Sequence, residues 1–368
     1  MAAHGNPIRI GREKTAPRRS PFPPRPAHPA GVSGRPPLLR RSTPAACSAA
    51  FALLLPALPP AASLVLASPV LAGASATGAR VVAERSVASR TLDLTIASPA
   101  MDGRQKVRLL LPRGWSRDAH RTWPTLWLLH GGVDDYTAWT RDTDVARLTA
   151  GSGAIVVMPN GGRCGNYSDW WNYGRGGSPR WETFHLTELR RILERDYRAG
   201  TARVVAGNSM GGLGAMLYAA RHPGMFRAAA SFSGYVDTLH GHEPGDDSTG
   251  WGPSFACPGT DWRRVWGDPD DQAAIWRAHN PTDIAGRLRG VRLWVASGNG
   301  RAGSLGGLPF TDPVEAAANG NARAFTARLR ALGIPVTVRF FDGQHDWPYW
   351  QRDLHQAYPM LMAALGAG

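Results

Sequence analysis

The sequence predicts an α/β fold in which a mainly parallel central sheet carries helices on both faces. Short runs of β-branched and other apolar residues alternate with longer helical patterns along most of the chain. Two of these runs, 125–130 and 154–159, are almost continuously apolar, as strands of a buried parallel sheet are. No internal repeat or low-complexity linker divides residues 77–368, so these residues are expected to form one domain.

The individual elements follow from periodicity and from turn residues. Polar and apolar side chains alternate over 89–97, which is typical of a half-exposed strand at an antiparallel entry to the sheet. Further strands are predicted at 107–112, 125–130, 154–159, 203–206, 228–232, 291–297 and 336–341. Helices are predicted at 140–150, 180–197, 209–221, 269–289, 313–332 and 347–365. The segment 236–268 holds six glycines and three tryptophans and is expected to be a loop-rich insertion over the sheet.

Residues 1–76 have the composition of a secretory signal peptide. The first 41 residues carry nine Lys or Arg and one acid, and an uncharged apolar stretch follows that ends in Ala-Ser-Ala at 74–76. The apolar stretch is about long enough to anchor the chain in a membrane. Four prolines and the small residues at its end favour cleavage near Ala76 instead. We therefore expect a protein that is secreted or held at the cell envelope, by a Sec or a Tat route that the sequence leaves open.

Charge, cysteine content and motifs indicate which classes of ligand and partner are expected. The formal net charge is +14, but eight of these charges fall in the signal, and the remaining +6 comes from scattered arginines. Scattered charge argues against nucleic-acid binding and leaves room for contact with an anionic cell envelope. Export permits a disulfide between Cys164 and Cys257, whose pairing stays open. No metal-ligand spacing and no phosphate-binding loop is present, so neither a metal nor a cofactor is expected.

A G-x-S-x-G pattern places Ser209 at the centre of the possible chemistry. Because the chain has 43 glycines, about 0.3 such matches are expected by accident, so the pattern needs its context. That context is present: a predicted strand precedes G207-N-S-M-G211 and a predicted helix follows it. Strand, tight turn and helix form the nucleophile elbow of an α/β hydrolase. The competing interpretation is an ordinary helix N-cap serine.

A nucleophilic serine needs an oxyanion hole and a base. The stretch H130-G-G follows an apolar strand, and the backbone N–H groups of Gly132 and Met210 are the candidate oxyanion donors; an ordinary glycine turn is the alternative. His345, on a loop after the last strand, is the candidate base, and His355 on the next helix is the weaker competitor.

The acid that would orient the base is less well defined by position. Asp312 and Glu315 both lie near the start of the helix predicted at 313–332, and position alone does not separate them. Asp342 and Asp346 flank the histidine loop and are expected to be surface turn residues.

Eight short segments, in the same order along residues 105–365, give the chain a family resemblance. These are D134-D-Y-T-A-W139, V156-V-M-P-N-G-G162, Y167-S-D-W170, W181-E-T-F184, G207-N-S-M-G211, W-R-A-H-N-P from Trp276, L293-W-V-A-S-G-N-G300 and H345-D-W-P-Y-W350. Together they resemble the antigen 85 mycolyltransferase branch of the esterase family of α/β hydrolases. The resemblance implies Ser209 as nucleophile, His345 as base, and Gly132 and Met210 as oxyanion donors. It also implies Glu315 as the acid, because the family's glutamate stands ten residues before a phenylalanine, here Phe325.

The chain also departs from that branch. The mycolyltransferases have an Asp that contacts the sugar where this chain has His130, and they have two cysteines just before W-E-T-F that are absent here. The resemblance therefore implies acyl-enzyme chemistry but not trehalose as the acceptor. His130, Trp170 and Trp347 are the candidate substrate-binding residues.

The main functional hypothesis is an exported serine ester hydrolase that acts on a small-molecule or lipid ester. The first alternative is an acyltransferase that passes the acyl group to a sugar or glycerol hydroxyl. The second is a non-catalytic protein that binds the envelope or a carbohydrate through the same fold. A protein of this last kind is expected to lack a member of the Ser-Glu-His set, whereas this chain has all three.

Overall fold

The computed structural model describes residues 78–243 and 261–366, which belong to one compact unit. The signal peptide predicted over 1–76 lies outside these residues, as does Cys257 together with much of the segment 236–268. In the part of the chain that is described, no helix combines the length and the apolar character needed to span a membrane.

A nine-stranded sheet organises the described residues, in the order β1-β2-β3-β5-β4-β6-β7-β8-β9. The first pairings, β1 with β2, β2 with β3 and β3 with β5, are antiparallel, and all the others are parallel. The α/β fold with a mainly parallel sheet is thus confirmed. The strands are β1 (Arg80–Ala88), β2 (Thr91–Ser98), β3 (Gly103–Leu110), β4 (Trp123–Leu129), β5 (Ile155–Pro159), β6 (Ala199–Asn208), β7 (Ala228–Phe232), β8 (Arg292–Gly298) and β9 (Thr337–Phe341).

The helices cover both faces of this sheet. They are α1 (Ala138–Asp142), α2 (Val145–Leu148), α3 (Trp181–Thr183), α4 (Arg190–Asp196), α5 (Met210–Arg221), α6 (Arg263–Trp266), α7 (Ala273–Ala278), α8 (Pro313–Ala331) and α9 (Trp347–Leu365). A π-helical stretch, Phe184–Leu189, joins α3 to α4, and short 3-10 turns lie at Pro99–Met101, Asn172–Gly174 and Ala285–Leu288.

Two cores lie on opposite sides of the sheet because side chains alternate along each strand. On β4, Trp127 and Leu129 enter one core, whereas Leu126 and Leu128 enter the other. Helices α5 and α8 pack into the first core, and α9 packs into the second. Because both faces of the central strands are buried, these strands appear in the sequence as continuous apolar runs.

The structure differs from the predicted elements at three places. Strand β1 was not predicted because it lies at the edge of the sheet and most of its side chains are exposed, which leaves no clear alternation. The helix predicted at 269–289 is interrupted around Pro281, leaving α7 and a 3-10 turn, since proline lacks the N–H that would continue the helix. The helix predicted at 140–150 is two short helices separated by the extended backbone of Thr143.

The parallel strands bring their carboxyl ends to one edge of the sheet. His130 follows β4, Ser209 follows β6, Ser233 follows β7, and the loop that leads to His345 follows β9. Ligands of open α/β sheets bind outside these carboxyl ends. The predicted site residues therefore lie on separate loops at the same carboxyl edge of the sheet.

Candidate active site

Ser209 lies at a sharp turn between β6 and α5. Its φ of 53° and ψ of −120° fall in a region that residues other than glycine rarely adopt. Its backbone N–H donates to the carbonyl of Phe232 on the neighbouring strand, at 2.8 Å. The two glycines of the motif allow this turn: a Cβ on Gly207 would lie 2.3 Å from the Gly211 oxygen, and a Cβ on Gly211 would lie 2.2 Å from the Leu129 oxygen. Larger residues at either position would push the helix away from the sheet.

His345 pairs with the carboxylate of Glu315. Its Nδ1 lies 2.7 Å from Glu315 Oε2, and the two side chains are 15% and 0% exposed. Since a carboxylate only accepts, Nδ1 carries the proton and donates it, which leaves Nε2 free to act as a base. Trp350 packs edge-on against the imidazole, with ring centroids 4.9 Å apart. Of the two acids that position alone left open, the structure brings Glu315 to the histidine.

Three donors hold the other oxygen of Glu315. Oε1 accepts from Ser233 Oγ at 2.8 Å, from Ser297 Oγ at 3.0 Å and from the backbone N–H of Gly298. Ser233 also accepts a bond from the Trp350 indole at 3.1 Å. A buried carboxylate needs such partners, because an unpaired one is strongly disfavoured in an apolar interior. This arrangement fixes the glutamate and leaves Oε2 for the histidine.

Asp312 has a different task at the same helix end. Its Oδ1 accepts from the N–H groups of Val314 and Glu315, as an N-cap does. Its Oδ2 accepts from the backbone N–H of His345 at 2.9 Å. Asp312 therefore ties the start of α8 to the histidine loop without contacting the imidazole nitrogens.

Two backbone N–H groups near Ser209 are candidates for holding an oxyanion. Among the described residues, the N–H groups of Gly132 and Met210 make no hydrogen bond, and Met210 begins α5. Unpaired N–H groups at a helix N-terminus favour negative charge. Val133, next to Gly132, has a φ of 58°, which is strained for a β-branched residue, and its N–H donates to the carbonyl of Arg163 at 2.8 Å. This bond contributes to fixing the direction of the Gly132 N–H.

A cavity of about 470 Å³ joins these parts. Ser209, Gly132 and His345 all line it, and Val314, Ala317, Ala318 and Trp347 give it an apolar wall. No hydrogen bond links the Ser209 hydroxyl to His345 within the described residues, and such contacts often tighten only when substrate binds.

Comparison with known proteins places this geometry in a family. The Esterase family model matches residues 98–361, which is well over half of the chain. The chain belongs to the Esterase family. Ag85B of Mycolicibacterium smegmatis, named a diacylglycerol acyltransferase/mycolyltransferase, is 32% identical over 287 residues, covering 74% of this chain and 85% of that protein. Ag85A of Mycobacterium ulcerans, which has the same activity name, is 34% identical over 259 residues, covering 66% of this chain and 74% of that protein.

Solved structures show the same fold. MPT51 of Mycobacterium tuberculosis aligns with a TM-score of 0.60 at 26% identity, covering 76% of this esterase and all of that chain. A ferulic acid esterase aligns with a TM-score of 0.57 at 24% identity, over 74% of this chain and 97% of its own, which shows a common fold. The resemblance to the antigen 85 branch is confirmed, and the chain is an enzyme of the esterase or acyltransferase kind.

Of the three candidate substrate-binding residues, the structure brings only Trp347 to the cavity of this esterase. Trp170 lies in the core, where its indole donates to the Gly165 carbonyl at 3.2 Å. His130 is 1% exposed: Nδ1 lies 2.7 Å from the Gly131 oxygen, and Nε2 accepts the Gly161 N–H at 2.7 Å. Burial lowers the pKa of His130 and keeps it neutral. Both ring nitrogens are occupied, so His130 supports the loop and does not face a ligand.

The remaining candidates have structural partners. His355 pairs with Asp144 at 2.7 Å on the outer part of α9, which leaves His345 as the histidine at the cavity. Asp342 accepts from the Asn299 amide, and Asp346 caps α9 while lying at the cavity rim. Cys164 is disulfide-bonded. No cluster of three or more potential metal ligands is found in the ranges that the structure describes.

Sequence reasoning missed Ser233 and Ser297 as partners of Glu315. Ser233 directly follows β7 and Ser297 is the second-last residue of β8, at the edge of the sheet where the cavity lies, and this position is the signal that could have identified them. Ser233 also has a φ of 50°, which no sequence pattern predicts for a serine.

Proposed function

We propose that the protein is an exported serine ester hydrolase that forms an acyl-enzyme on Ser209. One observation carries the proposal: the His345 imidazole, paired with Glu315 at 2.7 Å, lines the same cavity as a serine held in a nucleophile elbow. A serine, a base and a group that orients the base are the parts that nucleophilic ester cleavage requires. Export through the signal predicted at 1–76 is part of the same proposal.

The reaction proceeds in two halves. His345 Nε2 takes the proton of Ser209 as its oxygen attacks the ester carbonyl, and Glu315 stabilises the imidazolium that results. The N–H groups of Gly132 and Met210 hold the oxyanion. Collapse of this intermediate expels the alcohol, which leaves with the proton from His345. Water, deprotonated by His345, then attacks the acyl-enzyme and releases the carboxylic acid.

The wall of the cavity suggests where the acyl group lies. Val314, Ala317, Ala318 and Trp347 present apolar surface beside Ser209. An acyl chain gains free energy by leaving water for such a surface, at about 25 cal/mol for each Å² buried. The substrate class is therefore a small-molecule or lipid ester whose acyl part is apolar.

Labelling with a fluorophosphonate, followed by peptide mass spectrometry, tests the proposal. The label should appear on Ser209 and not on Ser233, the second serine of the cavity, whose hydroxyl donates to Glu315. Ser209→Ala should lower kcat for a short p-nitrophenyl ester by at least about 10⁴-fold, while the exposed control Ser116→Ala keeps full activity. A wild-type protein that takes no label and cleaves no ester would instead be a non-catalytic binding protein.

A second function, acyl transfer to a sugar or glycerol, is favoured by a neighbouring polar cavity of about 530 Å³. It shares Val133 and Asp134 with the Ser209 cavity, and Arg141, Asn160 and Arg163 also line it. Hydroxyl groups suit such a mixture of donors and acceptors. His130 does not help to choose between water and an alcohol, because its ring is buried.

Product analysis separates the two functions. A p-nitrophenyl ester is incubated with glycerol or trehalose, and the acylated acceptor and the free acid are measured. Hydrolysis predicts free acid alone, and transfer predicts an acylated acceptor that the variant Arg163→Ala reduces.

A further inference from the structure

A loop between β8 and α8, residues 299–312, exposes three large apolar side chains beside the candidate active site. Leu305, Leu308 and Phe310 are 42%, 50% and 60% exposed. They account for three of the seven strongly exposed large hydrophobic residues in the described part of the chain. We refer to residues 299–312 as the apolar loop. Contiguous exposed apolar side chains of this kind mark interaction surfaces, whereas single ones need no explanation.

Hydrogen bonds hold the backbone of the apolar loop in place. The amide nitrogen of the buried Gln344 lies 3.1, 3.1 and 2.8 Å from the carbonyl oxygens of Gly300, Leu308 and Phe310, which share its two hydrogens, and its amide oxygen accepts from the N–H of Leu308. The Tyr349 hydroxyl accepts from Gly303 at 3.0 Å and donates to the Gly306 carbonyl. These hydrogen bonds hold the loop in the conformation that exposes Leu305, Leu308 and Phe310.

The same contacts place the apolar loop at the edge of the Ser209 cavity. Gln344 directly precedes His345, and Asp312, the last residue of the loop, bonds to the His345 N–H. Val314, two residues further on, lines the cavity. Across the cavity, Val133 is 53% exposed and also lines it. The apolar loop is therefore tied through Gln344 and Asp312 to the segment that carries His345, and both chain segments continue into residues of the cavity wall.

We propose that the apolar loop docks onto a lipid surface, so that an ester in that surface reaches Ser209. The proposal rests on the proposed function, because the lipid surface presents the ester that the active site cleaves. A surface that carries anionic lipid fits best, since residues 299–311 contain one charged residue, the exposed Arg301, and no acid.

The size of the patch also favours lipid over a protein partner. Three half-exposed side chains offer roughly a few hundred Å² of apolar surface. A stable protein interface needs about 800 Å² from each partner. Insertion of a few apolar side chains among acyl chains has no such minimum, because binding scales with the apolar area buried and with attraction to anionic headgroups.

Vesicle flotation tests the docking directly. Wild type, the triple variant Leu305→Ser/Leu308→Ser/Phe310→Ser and the control Val82→Ser/Val87→Ser are mixed with phosphatidylcholine vesicles, with or without phosphatidylglycerol. The control changes two valines that are 40% and 42% exposed on β1, at the opposite edge of the sheet. We expect the triple variant to lose at least about tenfold in partition coefficient and the control to match wild type. Arg301→Gln should weaken binding only to the vesicles that contain phosphatidylglycerol.

Activity measurements keep this proposal separate from the proposed function. The triple variant should cleave a soluble short p-nitrophenyl ester at the wild-type rate but lose activity on an ester embedded in vesicles. If wild type cleaves no soluble ester, the proposed function fails, whatever flotation shows. If wild type does not float, or if the triple variant floats equally well, lipid docking is overturned. If wild type is a dimer that the triple variant dissociates, a second copy covers the loop, and lipid docking is again overturned.

Discussion

The molecule contains two histidines that look alike in sequence and differ in every contact they make. His130 and His345 both follow parallel strands and lie next to loops that contain glycine. His345 pairs with a carboxylate and lines the cavity. His130 is buried, and its two nitrogens are held by a carbonyl and by a backbone N–H. A position at the carboxyl edge of the sheet is therefore not enough to give a histidine a carboxylate partner at the cavity.

What separates the two is the partner of Nδ1 and the surroundings of Nε2. A carboxylate on Nδ1 stabilises the imidazolium that forms when Nε2 takes a proton. A carbonyl in a dry interior gives little help, and burial holds the pKa of His130 below its usual value. The surroundings of His130 thus disfavour its protonated form, whereas His345 has a carboxylate on Nδ1 and lines the cavity.

Among changes to the partners of the histidines, the largest effect is expected from Glu315→Gln. The amide oxygen can still accept from Ser233 and Ser297, but its NH₂ group would face Nδ1 of His345 and favour the wrong tautomer. We expect kcat for a soluble ester to fall by about 10³- to 10⁴-fold, with little change in the free energy of unfolding.

A second histidine–carboxylate pair supplies the matched control. His355 and Asp144 also lie 2.7 Å apart, but on the outside of α9. Asp144→Asn should leave kcat within about twofold of wild type. Equal losses in the two variants would mean that the cavity pair has no special role.

The buried histidines near His130 predict how the free energy of unfolding depends on pH. His185, which packs with Tyr167 behind His130, is fully buried, and burial lowers its pKa to about 3. The unfolded chain takes up this proton near pH 6.5, whereas the folded chain does not until about pH 3. The neutral histidine therefore contributes stability above pH 6.5 that is lost progressively as the pH falls through this window.

Urea unfolding at pH 7 and pH 5 measures this contribution. For His185 alone, the free energy of unfolding should fall by about 2 kcal/mol between the two values, and His130 adds to the loss in the same direction. His185→Gln should remove the part of this fall in the free energy of unfolding that His185 causes. A variant with the wild-type slope would show that His185 is protonated in the folded protein.

The sequence alone predicted the positions of the buried strands and of the turn that holds Ser209. Buried parallel strands are continuous runs of apolar residues, and the turn has a fixed spacing of glycines around Ser209. The residues of both could therefore be assigned from the sequence. The edge strand β1 lacked such a signal because few of its side chains are buried. The helix predicted at 269–289 breaks near Pro281, a residue type that ends helices, so the sequence does contain the signal for this break.

The direction of individual side chains was harder to predict than the position of the strands. Asp312 and Glu315 are three residues apart at one helix start, and only the path of the backbone determines which one reaches the imidazole. The position of His130 suggested a ligand contact, but its ring turns inward, where the Gly161 N–H binds it. Position along the chain did not separate the two acids, and only the family resemblance selected Glu315; the direction of the His130 ring depends on packing between distant segments.

The smallest effect, and the sharpest test of the two carboxylates, is expected at Asp312. Asp312→Ala removes the N-cap of α8 and the acceptor of the His345 N–H, so we expect a loss of about 1–2 kcal/mol in unfolding free energy. Asp312→Asn keeps an oxygen for the cap, and asparagine caps helices about as well as aspartate. Its amide has one acceptor oxygen where the carboxylate uses two, so the histidine loop loses its tie while the helix keeps its cap. We therefore expect a smaller loss of stability than in Asp312→Ala, because the cap is kept and only the His345 N–H loses its acceptor. We also expect kcat to fall by about tenfold with KM unchanged, because the imidazole is displaced but still paired with Glu315. If Asp312→Asn instead lowers kcat as far as Glu315→Gln does, then Asp312 shares the charge on the histidine, and the division of labour between the two carboxylates is wrong.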